Sequence, residues 1–403
     1  MLKNYLKIAL RNLWKRRNFN LLSKNHEKKT IFLTAILLLV ISGFVPAQHK
    51  VIDLKFAQPP VSDSDVSRTL QSLVRVRAIS ETYSTGGLYL MTHYGDREEL
   101  FQKENQRAID NPLRNQTWRY CSLFSAATED SVIMGRNWDN QNVGSIIVSL
   151  YYPPKGYASI SFSRAIDMGF PLNVDLLDFK SSEFGNKLLL APFYAMDGIN
   201  EHGLAVSVAG VRETSVKPKR SKESVGITFL IRKILDQTKT VEEAVNLVEK
   251  YVPFDLDKNS FNCHLFIADS LGRSVILEYV EDQWKRIYGE KSWQVLTNKP
   301  VYNVPDAKLR DQCWRYRSIS ETLEKTKGDV DWKAGMKILQ DVTQKGTTWS
   351  VIYSPPTKEL YFSIYQNWNI IYHLNLSSKN SLIANKKRNG SKIPFLIFPG
   401  SQN

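Results

Sequence analysis

The chain is predicted to be an α+β protein with two sheets held between layers of helix, and three observations lead there. Beyond residue 121, strand-like, helix-like, strand-like, helix-like and strand-like blocks succeed one another. Hydrophobic residues make up 42% and aromatics 11% of the 403 residues, enough for a sizeable core in one large or two ordinary domains. The polar turn Thr128-Glu-Asp-Ser131 separates two extended stretches, which is the pattern of a hairpin.

Element by element, residues 48–120 are polar and mixed, with a helical pattern at 63–79 and no catalytic motif. After the hairpin, strands are predicted at 145–152, 158–163 and 204–209, then helices at 225–237 and 240–251. Thr240-Val-Glu-Glu243 reads as an N-cap with an acid three positions on. Strands at 262–269, 274–280 and 293–296 come next, followed by helices at 307–326 and 332–343. A closing meander is predicted at 347–354, 360–365 and 369–374.

The net charge of +14 invites a nucleic-acid reading, but residues 1–50 hold ten Lys/Arg and one Glu, so they carry +9 and the remainder only +5. A basic leader is more often a targeting signature than a phosphate-binding surface. No Gly-rich phosphate loop or zinc spacing accompanies it, so nucleic acid is not expected as a partner. Asn25-His-Glu-Lys-Lys-Thr30, the apolar run 31–44 and Val45-Pro-Ala-Gln48 have the three regions of a secretory signal, with a cut expected after Ala47. That predicts an exported protein, periplasmic or extracellular, with transient membrane contact through the leader. The run is shorter than the roughly 20 residues that span a bilayer, and an anchor through residues 31–47 is the alternative. Residues 1–20 are basic and amphipathic and resemble the opening of bacterial ABC-transporter permease subunits. No permease follows, so they are read as an upstream extension.

The chemistry concentrates at Cys121 and Gly135-Arg-Asn-Trp-Asp139, where a hairpin would return a cation and a carboxylate to the side of a thiol. A free thiol, with a pKa of about 8.5, is only a few per cent thiolate at neutral pH and needs a base. The six histidines (His26, His49, His93, His202, His264, His373) form no pair at Cys-His or metal-ligand spacing. If the chain were cut between Tyr120 and Cys121, the freed α-amine, with a pKa of about 7.7–8.0, would serve as general base. Arg136 would favour the thiolate and lower the amine pKa, and Asp139 would raise it; which dominates is open. Three cysteines leave one thiol over if Cys263 and Cys313 pair, although two buried, unpaired thiols are the reading favoured here.

Cys121-Ser-Leu-Phe-Ser-Ala-Ala127, continued through Gly135-Arg-Asn-Trp-Asp139, resembles the start of the mature N-terminal-nucleophile (Ntn) hydrolases of the choloylglycine hydrolase and penicillin acylase group. The related acyl-coenzyme A:6-aminopenicillanic acid acyltransferase and acid ceramidase branches share the pattern. Asp197-Gly-Ile-Asn-Glu-His-Gly-Leu204, Val295-Leu-Thr-Asn298 and Thr347-Thr-Trp-Ser-Val-Ile-Tyr353 are similar to later stretches of the family, as is, more loosely, Trp314-Arg-Tyr316. The resemblance runs from 121 to 372 in the expected order. It implies the four-layer αββα sandwich of the Ntn-hydrolase fold, and an organisation of 1–47 as leader and signal, 48–120 as pro-segment or small N-terminal subdomain, and 121–403 as catalytic domain.

In that family the residue matching Cys121 is the nucleophile, that matching Arg136 supports it, and that matching Asp139 holds its α-amine. The Asn matching Asn298 donates to the oxyanion, although a strand-ending turn before Lys299-Pro300 is the plainer role. Arg315 matches a helix-opening arginine near the nucleophile, with Arg317 as a competitor. The stretch 197–203 is read as a structural turn, with Gly198 and Gly203 supplying permissive backbone angles. In bile-salt hydrolases the strand after this turn ends in an oxyanion Asn; Ala205-Val-Ser-Val-Ala-Gly-Val211 has none. That departure speaks against a bile-salt or penicillin-type substrate and leaves a backbone N–H near Gly210 as a substitute. Trp349, Tyr353 and Trp368 are read as core, with an acyl pocket as the alternative.

These readings predict a self-processed, exported cysteine amidohydrolase that cleaves a linear, non-peptide amide of a small N-acyl substrate, without cofactor or metal. The alternatives are an acyltransferase working through the same thioester, a non-catalytic exported binding protein of the same fold, and a membrane-tethered partner of a transporter. A homo-oligomer is left open.

Overall fold

The computed structural model describes residues 49–57, 64–77, 86–110, 121–140, 144–172, 174–179, 183–211, 223–254 and 263–376. The expectations for the leader, the cut after Ala47, residues 1–20 and Tyr120 lie outside the described residues.

Ahead of Cys121 the chain forms strand β1 (Lys50–Asp53), helix α1 (Asp65–Gln71), strands β2 (Val74–Arg77) and β3 (Leu88–His93), and helix α2 (Glu98–Asp110). The single helical pattern expected at 63–79 is therefore corrected to a helix and a strand. Ser64 caps α1 by accepting from the Ser67 N–H. Beyond it, Val74-Arg-Val-Arg77 alternates β-branched with long polar side chains, which suits a strand, and it pairs antiparallel with β3.

From Cys121 onward come β4 (Ser122–Ala127), β5 (Val132–Asp139), β6 (Ile146–Tyr151), β7 (Ser159–Arg164), α3 (Glu183–Leu188), β8 (Asp197–Asn200), β9 (Ala205–Gly210) and β10 (Glu223–Gly226). They are followed by α4 (Ile227–Gln237), α5 (Val241–Val248), β11 (Tyr251–Phe254), β12 (Cys263–Ala268), β13 (Ser274–Val280), β14 (Gln283–Tyr288) and β15 (Trp293–Leu296). The last elements are α6 (Asp306–Gln312), α7 (Trp314–Thr326), α8 (Trp332–Asp341), β16 (Thr347–Ser354), β17 (Glu359–Ile364) and β18 (Ile370–Asn375). Two further boundaries differ from expectation. The helix predicted at 240–251 stops at Val248, because Tyr251-Val-Pro-Phe254 pairs in parallel with β10. The helix predicted at 307–326 breaks at Cys313, whose extended backbone (φ −141°, ψ 106°) ends α6 and starts α7.

A seven-stranded sheet runs β1-β18-β17-β16-β5-β4-β15, and a nine-stranded one runs β14-β13-β12-β9-β8-β7-β6-β3-β2. Their inner faces meet where the Phe162 ring stacks on Trp349 at 5.8 Å and meets Phe362 edge-on at 5.1 Å. Helices α7 and α8 cover the first sheet through β4, β5, β15 and β16, and α4 and α5 cover the second through β8, β9, β12 and β13. The result is the αββα sandwich of the Ntn-hydrolase fold, as expected. Strands from before Cys121 belong to both sheets. The main chain beyond β1 bonds to β18 (Leu54 N–H to His373 O, 2.8 Å), while β3 lies buried between β2 and β6. From Val51 on, the described residues form one compact unit.

Candidate active site

The hairpin forms as the sequence predicts. Ser122 faces Asn137 across the β4–β5 ladder, and Thr128 N–H closes the turn on Ser131 O at 2.7 Å. Gly135 is needed because any Cβ there would run into the Phe124 ring of the neighbouring strand. Cys121 stands just before β4, 1% exposed, so both its sulfur and its nitrogen lie inside the protein.

On the sulfur side, Nη2 of Arg136 lies 3.9 Å from Cys121 Sγ. The guanidinium is fully buried and is anchored entirely on the second sheet. Nη1 donates to Met196 O (2.8 Å) and pairs with the Asp197 carboxylate, and Nη2 also donates to Val208 O (2.8 Å). Asp197 in turn accepts from Trp349 Nε1 (3.1 Å) and from the Tyr353 hydroxyl (2.6 Å). Trp349 and Tyr353 are fully buried core residues, and Trp368 packs half-buried against the core.

On the nitrogen side, the Cys121 N–H donates to Asn298 Oδ1 at 2.8 Å. Asn298 sits just past β15, and its Nδ2 donates to Gly210 O at 2.7 Å. The turn beyond it is fixed by Glu278, which accepts from the N–H groups of Val301 (2.9 Å) and Tyr302 (2.8 Å). From the first turn of α7, Arg315 Nη1 donates to Cys121 O and to Ser122 Oγ (3.0 Å), and its Nη2 donates to Asn298 Oδ1 (2.9 Å). Arg317, its competitor in the sequence, is exposed.

Asp139 is 1% exposed and accepts from Thr347 Oγ1 at 2.6 Å, while Oδ2 has no hydrogen-bond partner among the described residues. Burial pushes its pKa up to about 7, against the pull of Thr347, Arg315 and Arg136. Burial also pushes the Cys121 thiol up; Arg136 draws it down and the Asp139 charge pushes it up again. A buried thiol beside Arg136 and Asp139 needs a local proton acceptor to ionise.

All five sequence-predicted residues, Cys121, Arg136, Asp139, Asn298 and Arg315, thus meet in one place. Asp197, which the sequence reading keeps as part of a turn, belongs to the same cluster. Its signal is a lone carboxylate directly after the apolar stretch Leu188–Met196, since a charge carried into such surroundings must find a partner. The turn itself is as predicted at Gly203 (φ +80°). Gly198 is instead required by space, because a Cβ there would lie 2.6 Å from Ile160 O. Cys263 and Cys313 are buried thiols and form no disulfide.

A buried cysteine just ahead of β4 in an αββα sandwich, with a buried arginine at its sulfur, fits one class: an Ntn-type hydrolase. The family model of the linear amide C-N hydrolases, choloylglycine hydrolase family, matches residues 121–340, more than half of the chain, and the chain belongs to that family. It is accordingly a hydrolase acting on linear amides. Among solved structures, a variant of the conjugated bile acid hydrolase from Clostridium perfringens is 15% identical, with 64% of this chain and 93% of that one covered (TM-score 0.49). Penicillin V acylase from Agrobacterium tumefaciens is 17% identical over 64% and 86% (TM-score 0.45). The Caenorhabditis elegans ortholog of N-acylethanolamine-hydrolyzing acid amidase is 16% identical over 59% and 93% (TM-score 0.41). Comparison with curated proteins finds no match.

Proposed function

We propose that Cys121 is the nucleophile of this amide hydrolase and becomes competent when the chain is cut before it. The observation that carries the reading is the double engagement of one residue: Arg136 Nη2 at its sulfur (3.9 Å) and Asn298 Oδ1 at its nitrogen (2.8 Å). A structural cysteine needs neither contact. Once freed, the nitrogen is an amine that keeps Asn298 as acceptor, and the unpartnered Oδ2 of Asp139 is a second acceptor in the same buried cluster.

In the reaction the amine takes the thiol proton, and the thiolate adds to the carbonyl carbon of an N-acyl amide. The oxyanion is met by the second Nδ2 hydrogen of Asn298 and by backbone donors. Collapse breaks the C–N bond, the leaving amine receives the proton, and a thioester remains on Sγ. Water, deprotonated by the same amine, resolves the thioester to the carboxylic acid and restores the thiol. Arg136 favours the thiolate, and Arg315 holds the Cys121 carbonyl so that sulfur and nitrogen keep their geometry.

The same reading takes residues 1–47 as an export leader and expects the piece ahead of Cys121 to stay bound after the cut, because β3 is buried inside a sheet. Intact mass and N-terminal sequencing of the protein isolated from its host test all three points. A 283-residue fragment starting at Cys121, co-purifying with the upstream piece, is expected, together with an uncut, inactive Cys121→Ala variant. An uncut wild-type chain with full amide hydrolysis overturns the proposal.

A further inference from the structure

Arg136 is oriented by three acceptors of the second sheet, and only one of them, Asp197, is charged. Asp197 has no exposed surface, and every group facing it brings a hydrogen: Arg136 Nη1, Trp349 Nε1 and the Tyr353 hydroxyl. Two of the three, the Arg136 guanidinium and the Trp349 indole, can only donate, and so favour the carboxylate over the neutral acid. Burial raises its pKa on balance, while Arg136, Tyr353 and Trp349 pull the other way, and its direct contact with Arg136 has the geometry of an ion pair. The arginine is also flanked by aromatic rings, Trp138 at 4.4 Å and Trp349 at 5.8 Å, so its position is fixed on every side and its charge is balanced on one.

We propose that Asp197, with Tyr353 and Trp349 as its hydrogen donors, is the positioning residue that aims Arg136 at the Cys121 sulfur and limits how strongly that arginine draws the thiol into its ionised form. The inference rests on Cys121 being the nucleophile. A thiolate held too firmly is a poorer attacker, because nucleophilicity falls with thiol basicity. Full, unbalanced guanidinium charge beside Sγ would therefore make each thiolate a weaker attacker, by about threefold per unit of thiol pKa, even while it increased the thiolate fraction. Charge acts on the sulfur from Arg136 and Asp139 of β5; Arg315 of α7 stands at the Cys121 carbonyl, and Asp197 of β8 and Tyr353 of β16 stand behind Arg136. Of the carboxylates, Asp139 is bound to Thr347 and Asp197 to Arg136, so only Asp197 acts through the arginine.

The test compares the pH dependence of Cys121 alkylation by iodoacetamide, located by peptide mass, in the wild-type enzyme as isolated and in two variants, with kcat and KM measured alongside. Asp197→Asn removes the balancing charge, and its profile is expected to move to lower pH by about one unit. On the high-pH plateau, where the thiol is fully ionised, its kcat should fall about threefold or more, from the weaker thiolate and the lost aim of Arg136, with KM within twofold, since Asp197 is separated from any substrate by Arg136. Tyr353→Phe keeps both charges but withdraws a hydrogen from the carboxylate, leaving it a fuller counter-charge. Its profile is expected to move the other way, to higher pH, by a few tenths of a unit. Shifts in the same direction, or profiles superimposed on the wild type, overturn the inference and leave Asp197 as a structural ion pair. If Asp197→Asn does not accumulate folded, the Tyr353→Phe profile decides, and an unmoved curve overturns the inference. If alkylation of Cys121 leaves wild-type turnover intact, the nucleophile reading fails, a result distinguishable from failure of this inference alone.

Discussion

The two sides of Cys121 are built on different principles. Its sulfur faces an arginine whose partners all lie across the inter-sheet layer, on β8, β9 and the residue before β8. Its nitrogen and carbonyl face Asn298 and Arg315, which arrive from the end of β15 and the start of α7, on the sheet to which Cys121 belongs. The sulfur side therefore ties the two halves of the sandwich together through a buried ion pair, whereas the nitrogen side is a lattice of hydrogen bonds that reaches the second sheet through the Asn298 Nδ2–Gly210 O bond. Substitutions on the first side should be felt as stability and those on the second chiefly as chemistry.

The largest effect should come from Arg136→Ala. It leaves Asp197 ionised in the core without its cation, and breaking a buried pair from one side costs about 3–5 kcal/mol. Urea unfolding should register that loss together with loss of turnover. If stability is unchanged and only activity disappears, the contrast between the two sides is wrong.

A comparable effect should appear as pH dependence in the uncut Cys121→Ala chain. Asp139 has a folded pKa raised to about 7, against about 3.9 for an unfolded aspartate. The folded state then binds the extra proton between those values, so stability is fully present below about pH 4 and falls as pH rises towards 7. Three units correspond to roughly 4 kcal/mol as an upper bound. Asp139→Asn in the same background should flatten that slope, read from denaturant midpoints at pH 4, 5.5 and 7. A slope unchanged by the substitution would assign it to the other buried carboxylates, Asp197, Asp167 and Asp236, which burial also raises. If the chain is cut before Cys121 as proposed, the new ammonium should draw Asp139 back down.

Asn298→Ala isolates the nitrogen side. Removing the proposed oxyanion donor should lower kcat by about 10²–10³, while stability changes by about 1–2 kcal/mol for the hydrogen bonds lost at Cys121 N and Gly210 O. A kcat within threefold of wild type would transfer the oxyanion role to backbone donors alone.

How much of this could be read beforehand follows from where the determining interactions lie. The hairpin β4–β5 was legible because its turn and both strands are contiguous, and the five site residues because each sits in a short motif. Strand β3 was not: Leu-Tyr-Leu-Met-Thr-His is apolar without alternation, since both of its faces are buried, and a run of that kind does not separate strand from helix. The strand β14, Gln283–Tyr288, hides for the opposite reason, as an edge strand that is mostly polar. Asp197 was illegible in role because its partners, Arg136, Trp349 and Tyr353, lie about 60 to 160 positions away and meet only when the sheets close. What the motif Thr347–Tyr353 does was likewise hidden. Alternate side chains of that one strand serve Asp139 (Thr347) and Asp197 (Trp349, Tyr353).

The smallest contrast separates two arginines two residues apart on α7. Arg315 is 6% exposed and donates to Cys121 O, Ser122 Oγ and Asn298 Oδ1, whereas Arg317 is exposed to solvent. The helix turns the two side chains about 200° apart, so they cannot exchange roles. Arg315→Ala should leave three acceptors short of a donor and cost about 1–3 kcal/mol. A fall in kcat should accompany it, because Asn298 loses the bond that fixes its Oδ1. Arg317→Ala should stay within about 0.5 kcal/mol of wild type with unaltered kcat/KM. Melting curves and turnover for the pair check this directly. Equal effects at both positions would mean that α7 is rotated from its place over β4, and the nitrogen-side lattice would have to be redrawn.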